Sequence, residues 1–211
     1  MAKLAVLGPQ VLQFLLALTV LGLAAHFVRI WVIGSAPVTI RYTVFVGAFG
    51  MFVAIVGAAV LLFASESASS IVQLGPVLLD AIFAILALAA GIAWAIGLGG
   101  GLENCKHGGN MLKNNLLNQG SRGSGKNKVY GVFKGTNDEE KVYHRLQGNC
   151  RRARADEALL FISTAISLGF VVYGFLKARK ASGGLVSFQL GKLGRRTYVY
   201  LEQTVLRVMG L

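Results

Sequence analysis

Charged residues, cysteine and proline are all scarce in this chain. Asp and Glu together number 9, there are 2 Cys and 3 Pro, and only 14% of residues are charged, whereas 55% are hydrophobic and the mean hydropathy is +0.62. The sequence contains neither a His-Glu-x-x-His motif nor a Gly-x-x-x-x-Gly-Lys-Ser/Thr phosphate loop. These absences argue against a hydrolase or a nucleotide-binding enzyme. We predict a non-enzymatic protein with no cofactor and no bound metal.

Two cysteines are too few for a disulfide scaffold or for a zinc site built from cysteine alone. A single bridge between Cys105 and Cys150 would stabilise the fold by roughly 4 kcal/mol in the loop-entropy model, provided that the compartment is oxidising. The alternatives are two unrelated thiols, or a Cys2His2 zinc site with His107 and His144. The Cys-x-His and His-x5-Cys spacing matches no common zinc finger, so the disulfide is favoured.

Long apolar runs dominate the chain and are long enough to cross a bilayer. We predict spans at about 9–33, 42–63, 76–98 and 158–176, forming a domain over 1–180 with a loop at 99–154, and a membrane-surface tail at 181–211. The predicted fold class is an all-α membrane protein, a four-transmembrane-helix bundle with a long loop between helices 3 and 4 and a basic amphipathic C-terminal tail. The loop is rich in Gly, Asn and Lys, which predicts a mobile middle.

Small residues recur along the second span and, at three- or four-residue spacing, along the third. Small side chains let neighbouring helices approach closely in lipid, so these positions are predicted to form helix-packing faces rather than chemical sites. They are Gly47, Gly50, Gly57, Ala84, Ala87, Gly91 and Ala95.

Three ionisable residues fall within the predicted spans, where such residues are functional hypotheses. His26 and Arg29 share one helix face and form either a polar site or, in the favoured interpretation, an interfacial pair with Arg29 reaching the headgroups beside Trp31. Asp80 lies near a helix start and is either functional or stabilised by the helix dipole. Asp156 and Glu157 are expected at the start of the fourth helix, for the same dipole reason.

The net charge of +12 divides between two separate segments of a membrane protein, which argues against a nucleic-acid partner and favours anionic lipid. A basic tail predicts cytosolic termini. The polar loop carries eleven Lys/Arg against four acids and favours the opposite orientation, but long loops follow this rule poorly, and the cysteines favour placing the loop in an oxidising compartment. The predicted lipid-facing basic residues are Lys177, Arg179, Lys180, Lys192, Arg195 and Arg196.

Five segments and the two loop cysteines recur in an order and spacing typical of one family. They are Val11–Leu23, Tyr42–Gly47, Leu79–Ala84, Ala93–Trp94 and Arg154–Ala158, with Cys105 and Cys150 at the ends of the loop. Together with the four spans, they resemble a MARVEL domain, especially the fungal kind. The resemblance covers about Val11 to Lys180 and departs from the family in its longer, more basic, glycine-rich loop and in the tail.

The resemblance implies an integral multi-pass membrane protein of the plasma membrane or secretory pathway that organises membrane domains or assists apposition and trafficking. It would act through helix and lipid contacts, as a homo-oligomer or with a larger membrane-protein partner. The alternative is a small channel or transporter that uses His26, Arg29 and Asp80.

Overall fold

The computed structural model describes residues 2–63, 70–99, 105–106, 108–135 and 138–181. Within these ranges, the side chains of residues 2–6, 70–73, 126 and 177–181 are not described. The chain divides into two units, residues 1–171 and 172–211. All packing discussed below belongs to the first unit.

Four long helices make up most of the described chain, and each is long and apolar enough to cross a membrane. The predicted all-α, four-span bundle is therefore confirmed. Its helices are α1 (Ala2–Ile30), α2 (Val38–Phe63), α3 (Ser70–Leu98) and α5 (Glu139–Ala181). Between α3 and α5 lie the short helix α4 (Gly108–Lys113), strands β1 (Ser121–Arg122) and β2 (Val129–Tyr130), and two 3-10 turns, Gly125–Asn127 and Gly131–Phe133.

The helix α5 begins at Glu139, well before the predicted start of the fourth span at 158. Its first part is polar, so hydropathy gives no sign of a helix there. An apolar stripe nevertheless recurs at helical spacing, and its members Val142, Leu146, Cys150 and Ala153 are all buried. The expectation that Asp156 lies at a helix start is therefore wrong, because it falls in the middle of α5.

The interior of the bundle combines small residues with large apolar side chains such as Phe27, Phe83 and Trp94, and its exterior is bulky and apolar. The buried positions include Ala17, Ala24, Ala54, Ala84 and Ala87, and α1 and α3 both pack on α2. Large apolar side chains also point outward. Exposing them to lipid has no free-energy cost, because lipid chains are as apolar as the side chains themselves. Exposed examples are Leu15, Phe45, Phe52, Ile85, Ile96 and Leu168.

The described residues of 105–135 fold against one end of the bundle, and we call them the loop cap. Met111, Leu117 and Val132 are fully buried and join the same core cluster as Phe27 and Trp94 of the bundle. The middle of the loop forms an antiparallel pair in which Ser121 faces Tyr130 and Arg122 faces Val129. The cap gains its core from the bundle and from α5, which explains how a segment with few apolar residues of its own can fold.

Candidate functional site

The predicted packing residues lie mostly at helix contacts inside the chain. A Cβ on Gly47 would stand 2.8 Å from the backbone N of Leu21, and one on Gly50 would stand 2.6 Å from the Phe83 ring. Similar positions are Gly57 against Gln10 and Gly91, whose Cβ would be 3.2 Å from the Phe161 ring; Ala84 and Ala87 are buried and Ala95 is half-buried. The glycines thus permit helix approaches that a larger residue would prevent.

The expectation that Asp80 lies near a helix start is wrong, because α3 begins ten residues earlier, at Ser70. Asp80 lies inside the bundle in a polar cluster that joins three helices. The Gln13 amide Nε2 on α1 donates to Asp80 Oδ1 on α3 at 3.1 Å and to Ser167 Oγ on α5 at 3.2 Å. All three side chains are buried. Hydrogen bonds of this kind hold membrane helices together and fix their rotation, so the geometry gives Asp80 a clear structural partner set.

His26 and Arg29 are not brought together with Asp80. Residues 13 and 26 of α1 are about 20 Å apart along a helix that rises 1.5 Å per residue, and Asp80 is bonded at the level of Gln13. The His26 Nε2 is 3.0 Å from Nη1 of Arg152 on α5, and Arg29 is exposed. His26 and Arg29 therefore lie at a different depth of the bundle from Asp80.

A second carboxylate inside the bundle was not expected from the sequence. Asp156 is fully buried, and neither of its oxygens has a hydrogen-bond partner among the described residues; the same holds for the Ser163 hydroxyl. The neighbouring Glu157 instead pairs with Arg154 at 2.8 Å. Asp156, Ser163 and Ser167 follow one inward face of α5, since they are spaced by seven and four residues. The spacing of these three polar residues is the signal in the sequence from which this face could have been predicted.

Cys105 and Cys150 form a disulfide in the structure, with their Cα atoms 5.8 Å apart. The bond joins the segment that follows α3 to the buried stripe of α5. The zinc alternative rests partly on His107, which lies outside the described residues. Across the described ranges, no group of three or more His, Cys, Asp or Glu is placed to hold a metal ion. His144 is exposed, with Nε2 3.9 Å from Glu140.

Three asparagines hold the irregular backbone of the loop cap, and sequence reasoning missed all of them. The Asn114 amide donates to the carbonyls of Gly97 and Leu98 at 2.8 and 3.4 Å, which satisfies acceptors that the end of α3 leaves open. Asn149 on α5 donates to Leu117 O at 3.2 Å. The third, Asn118, accepts from the Gly120 amide at 3.0 Å and donates to Leu112 O.

A glycine closes the cap onto the segment after α1. Gly120 has a positive φ of 93°, and a Cβ there would collide with the Ile33 carbonyl. Beside it, the Gln119 carbonyl accepts from the amides of Val32 and Ile33 at 3.1 and 3.2 Å. The cap therefore contacts the ends of α1 and α3 as well as α5.

The side chains of the basic residues that were predicted to face lipid are not among those described. Lys177, Arg179 and Lys180 belong to the last turns of α5, whose side chains are not described, and Lys192, Arg195 and Arg196 lie outside the described residues. They stay predictions.

Comparison with known families identifies a match over most of the chain. The family model for MARVEL, a membrane-associating domain, matches residues 5–173. The match does not distinguish the fungal kind, which stays a prediction. No curated protein and no solved structure matches the chain. Because the model covers all four spans of an integral multi-pass membrane protein, from the first helix to the fourth, the chain belongs to the MARVEL family.

Proposed function

We propose that this protein organises membrane domains, or assists membrane apposition and trafficking, by assembling laterally with copies of itself or with larger membrane proteins, and that it is not an enzyme. The observation that carries the proposal is the apolar exterior of the bundle. Bulky apolar side chains cover its outside, whereas glycines such as Gly47 and Gly50 let its helices approach one another closely. This architecture presents surfaces to lipid and to other helices.

The separation of His26 and Arg29 from Asp80 counts against the transport alternative. A pore needs several polar groups at related depths. Here Asp80 is bonded to Gln13 in the first half of α1, whereas His26 contacts Arg152 about 20 Å further along, near the end of that helix. Proteoliposomes that show ion or proton flux above that of empty vesicles would restore this alternative.

The helix α1 offers a surface on which self-association can be tested. Thr19, Gly22 and Ala25 are exposed and three residues apart, and a Cβ at Gly22 would meet open space. A leucine at Gly22 therefore leaves the bundle intact but obstructs the close approach of another helix. Gly169 on α5 is also exposed with open space around it, and so Gly169→Leu is a matched control.

The test is the oligomeric state of the full chain in native-membrane nanodiscs, counted by single-molecule photobleaching. The wild type is expected to show more than one copy per disc or to copurify with a larger membrane protein. Gly22→Leu is expected to reduce the copy number, and Gly169→Leu to leave it unchanged. A monomer with no partner in all three samples would contradict the proposed function. An equal reduction of the copy number in both variants would show that α1 is not the contact face.

We further propose that the termini are cytosolic and that the loop cap lies in an oxidising lumen or outside the cell. The Cys105–Cys150 bond supports this orientation, because disulfides persist in such compartments. The basic residues of the tail then lie at the anionic cytosolic leaflet. Peptide mass analysis of alkylated protein from native membranes is expected to recover the bridged peptides. Two alkylated thiols would reverse the assignment and reopen the zinc site.

A further inference from the structure

An open cleft of about 530 Å³ lies on the loop-cap side of the bundle, between the end of α1 and the first half of α5. We propose that this cleft binds a phosphate group, such as that of a phospholipid headgroup. Its lining includes the basic side chains of His26, His144, Arg145 and Arg152, with Gln119 and Asn149 beside them. The proposal concerns a bound ligand and stands apart from lateral assembly.

The charge of the cleft has one sign. Every described ionisable side chain that lines it is basic, and no carboxylate is among the described lining residues. Arg152 makes no ion pair with any described acid, whereas Arg154, two residues later, is paired with Glu157. Glu140 approaches only His144, at 3.9 Å. The guanidinium of Arg152 is therefore left available to an anion from outside the chain.

The contact between His26 and Arg152 aims that guanidinium into the cleft. An arginine can only donate hydrogen bonds, so His26 Nε2 is the acceptor in the 3.0 Å contact with Nη1. The imidazole is then neutral, with its proton on Nδ1. This contact uses one of the five donors of Arg152, and the others have no partner among the described residues, which suits the paired oxygens of a phosphate.

A second arginine lies on the same face of α5. Residues 145, 149 and 152 are spaced by four and three, which places them on one side of a helix. Arg145 Nη1 donates to the carbonyls of Val132 and Lys134 at 3.4 and 3.1 Å, and this anchors its side chain to the cap. Asn149 is likewise fixed by its bond to Leu117 O. Two of the side chains that line the cleft are thus held in place by hydrogen bonds to the loop cap.

The depth of the cleft matches that of lipid headgroups. His26 lies in the last turns of α1, which ends at Ile30, and Trp31 follows immediately. Tryptophan and long basic side chains concentrate at this membrane level. A phosphate at the top of a lipid chain therefore reaches Arg152 without leaving the leaflet, and the acyl chains lie along the apolar exterior of the helices.

The experiment uses the full chain, purified in maltoside and stripped of lipid, with thermal stability measured against added ligand. Phosphatidic acid and phosphatidylcholine supply phosphate with acyl chains, diacylglycerol supplies the chains alone, and inorganic phosphate supplies the anion alone. Arg152→Gln is compared with Arg151→Gln, because Arg151 is the exposed neighbour outside the cleft. Both arginines are exposed, and the ligand-free melting temperatures show whether the variants fold.

Both phospholipids are expected to stabilise the wild type and Arg151→Gln, with an apparent affinity about tenfold weaker in Arg152→Gln, as expected for loss of a charge-assisted bond. Diacylglycerol should not stabilise. Stabilisation by inorganic phosphate that depends on Arg152, without a lipid effect, would assign the same site to a soluble phosphate. Equal responses of the two variants to every ligand, or equal effects of diacylglycerol and phospholipid, would overturn the proposal.

Discussion

The bundle and the loop cap share one core but are held together in different ways. In the bundle, helices satisfy their own backbone hydrogen bonds, and contact depends on small residues such as Gly47 and Gly50. In the cap, short elements leave many backbone groups open, and Asn114, Asn118 and Asn149 fill them beside a disulfide. The two regions differ because their surroundings differ. Water can hydrogen-bond to the open backbone groups of an irregular segment, whereas hydrocarbon cannot.

Removing the disulfide is expected to produce the largest difference in stability between the loop cap and the bundle. In the double variant Cys105→Ser with Cys150→Ser, the cap should lose about 4 kcal/mol of stability, since the open loop regains its chain entropy. Hydrogen exchange should rise across residues 108–135 while α2 stays protected. Reduced wild type is the matched control and should behave like the double variant. Unchanged exchange in the cap would show that its hydrogen bonds and core suffice.

Gly47→Leu should damage the bundle directly. The new side chain meets the Leu21 backbone at 2.8 Å already at its Cβ, so the helices must move apart, at a cost of about 3 kcal/mol, the upper range for overpacking. Melting temperature in detergent measures the effect. Gly169→Leu adds the same side chain where a Cβ meets nothing, and it should melt like the wild type. Equal melting of both variants would contradict the close-packing role.

Asn114→Ala should weaken the junction between the regions by about 1–2 kcal/mol, because carbonyls at the end of α3 and the Leu116 amide lose their partner. Faster exchange at residues 116–120 and a modest fall in melting temperature are expected. Asn110→Ala, an exposed change in α4, serves as the control. A fall of the same size in both variants would show that the Asn114 bonds contribute little.

The smallest effect is expected from the polar cluster of the bundle. A double-mutant cycle with Gln13→Leu and Asp80→Leu should give a coupling free energy of about 0.6 kcal/mol, typical of hydrogen bonds between membrane helices. Unfolding in a graded detergent mixture supplies the four free energies. A cycle of Gln13→Leu with Thr19→Val, whose hydroxyl bonds only Leu15 O within α1, should give none. A zero result in the first cycle would make the cluster energetically neutral.

Hydropathy predicted the four spans because lipid demands continuous apolar surface. The ends of α2 at Phe63 and of α3 at Leu98 agree with the sequence estimate. Hydropathy missed the polar beginning of α5, where the helix is apolar only along the stripe from Val142 to Ala153. Averaging over a window hides such a stripe, whereas its helical spacing reveals it.

The details of the two sites could not be read from the sequence. Asn114 becomes a cap for α3 only when the loop folds back over it, and Asp156 is buried only because of the rotation of α5. The cleft likewise joins His26 and Arg152, which are 126 residues apart in the chain. Such contacts depend on the packing of helices, which no local pattern specifies.

The position of Cys150 has a consequence for the order of events during synthesis. The first three helices and Cys105 leave the ribosome before the fourth helix is made, and Cys150 follows Cys105 by 45 residues. Asn149, Leu146 and Val142, which complete the cap, are made in the same late segment. The cap therefore cannot close until the first half of α5 has been made, and a chain truncated before α5 would expose an unpaired thiol to quality control.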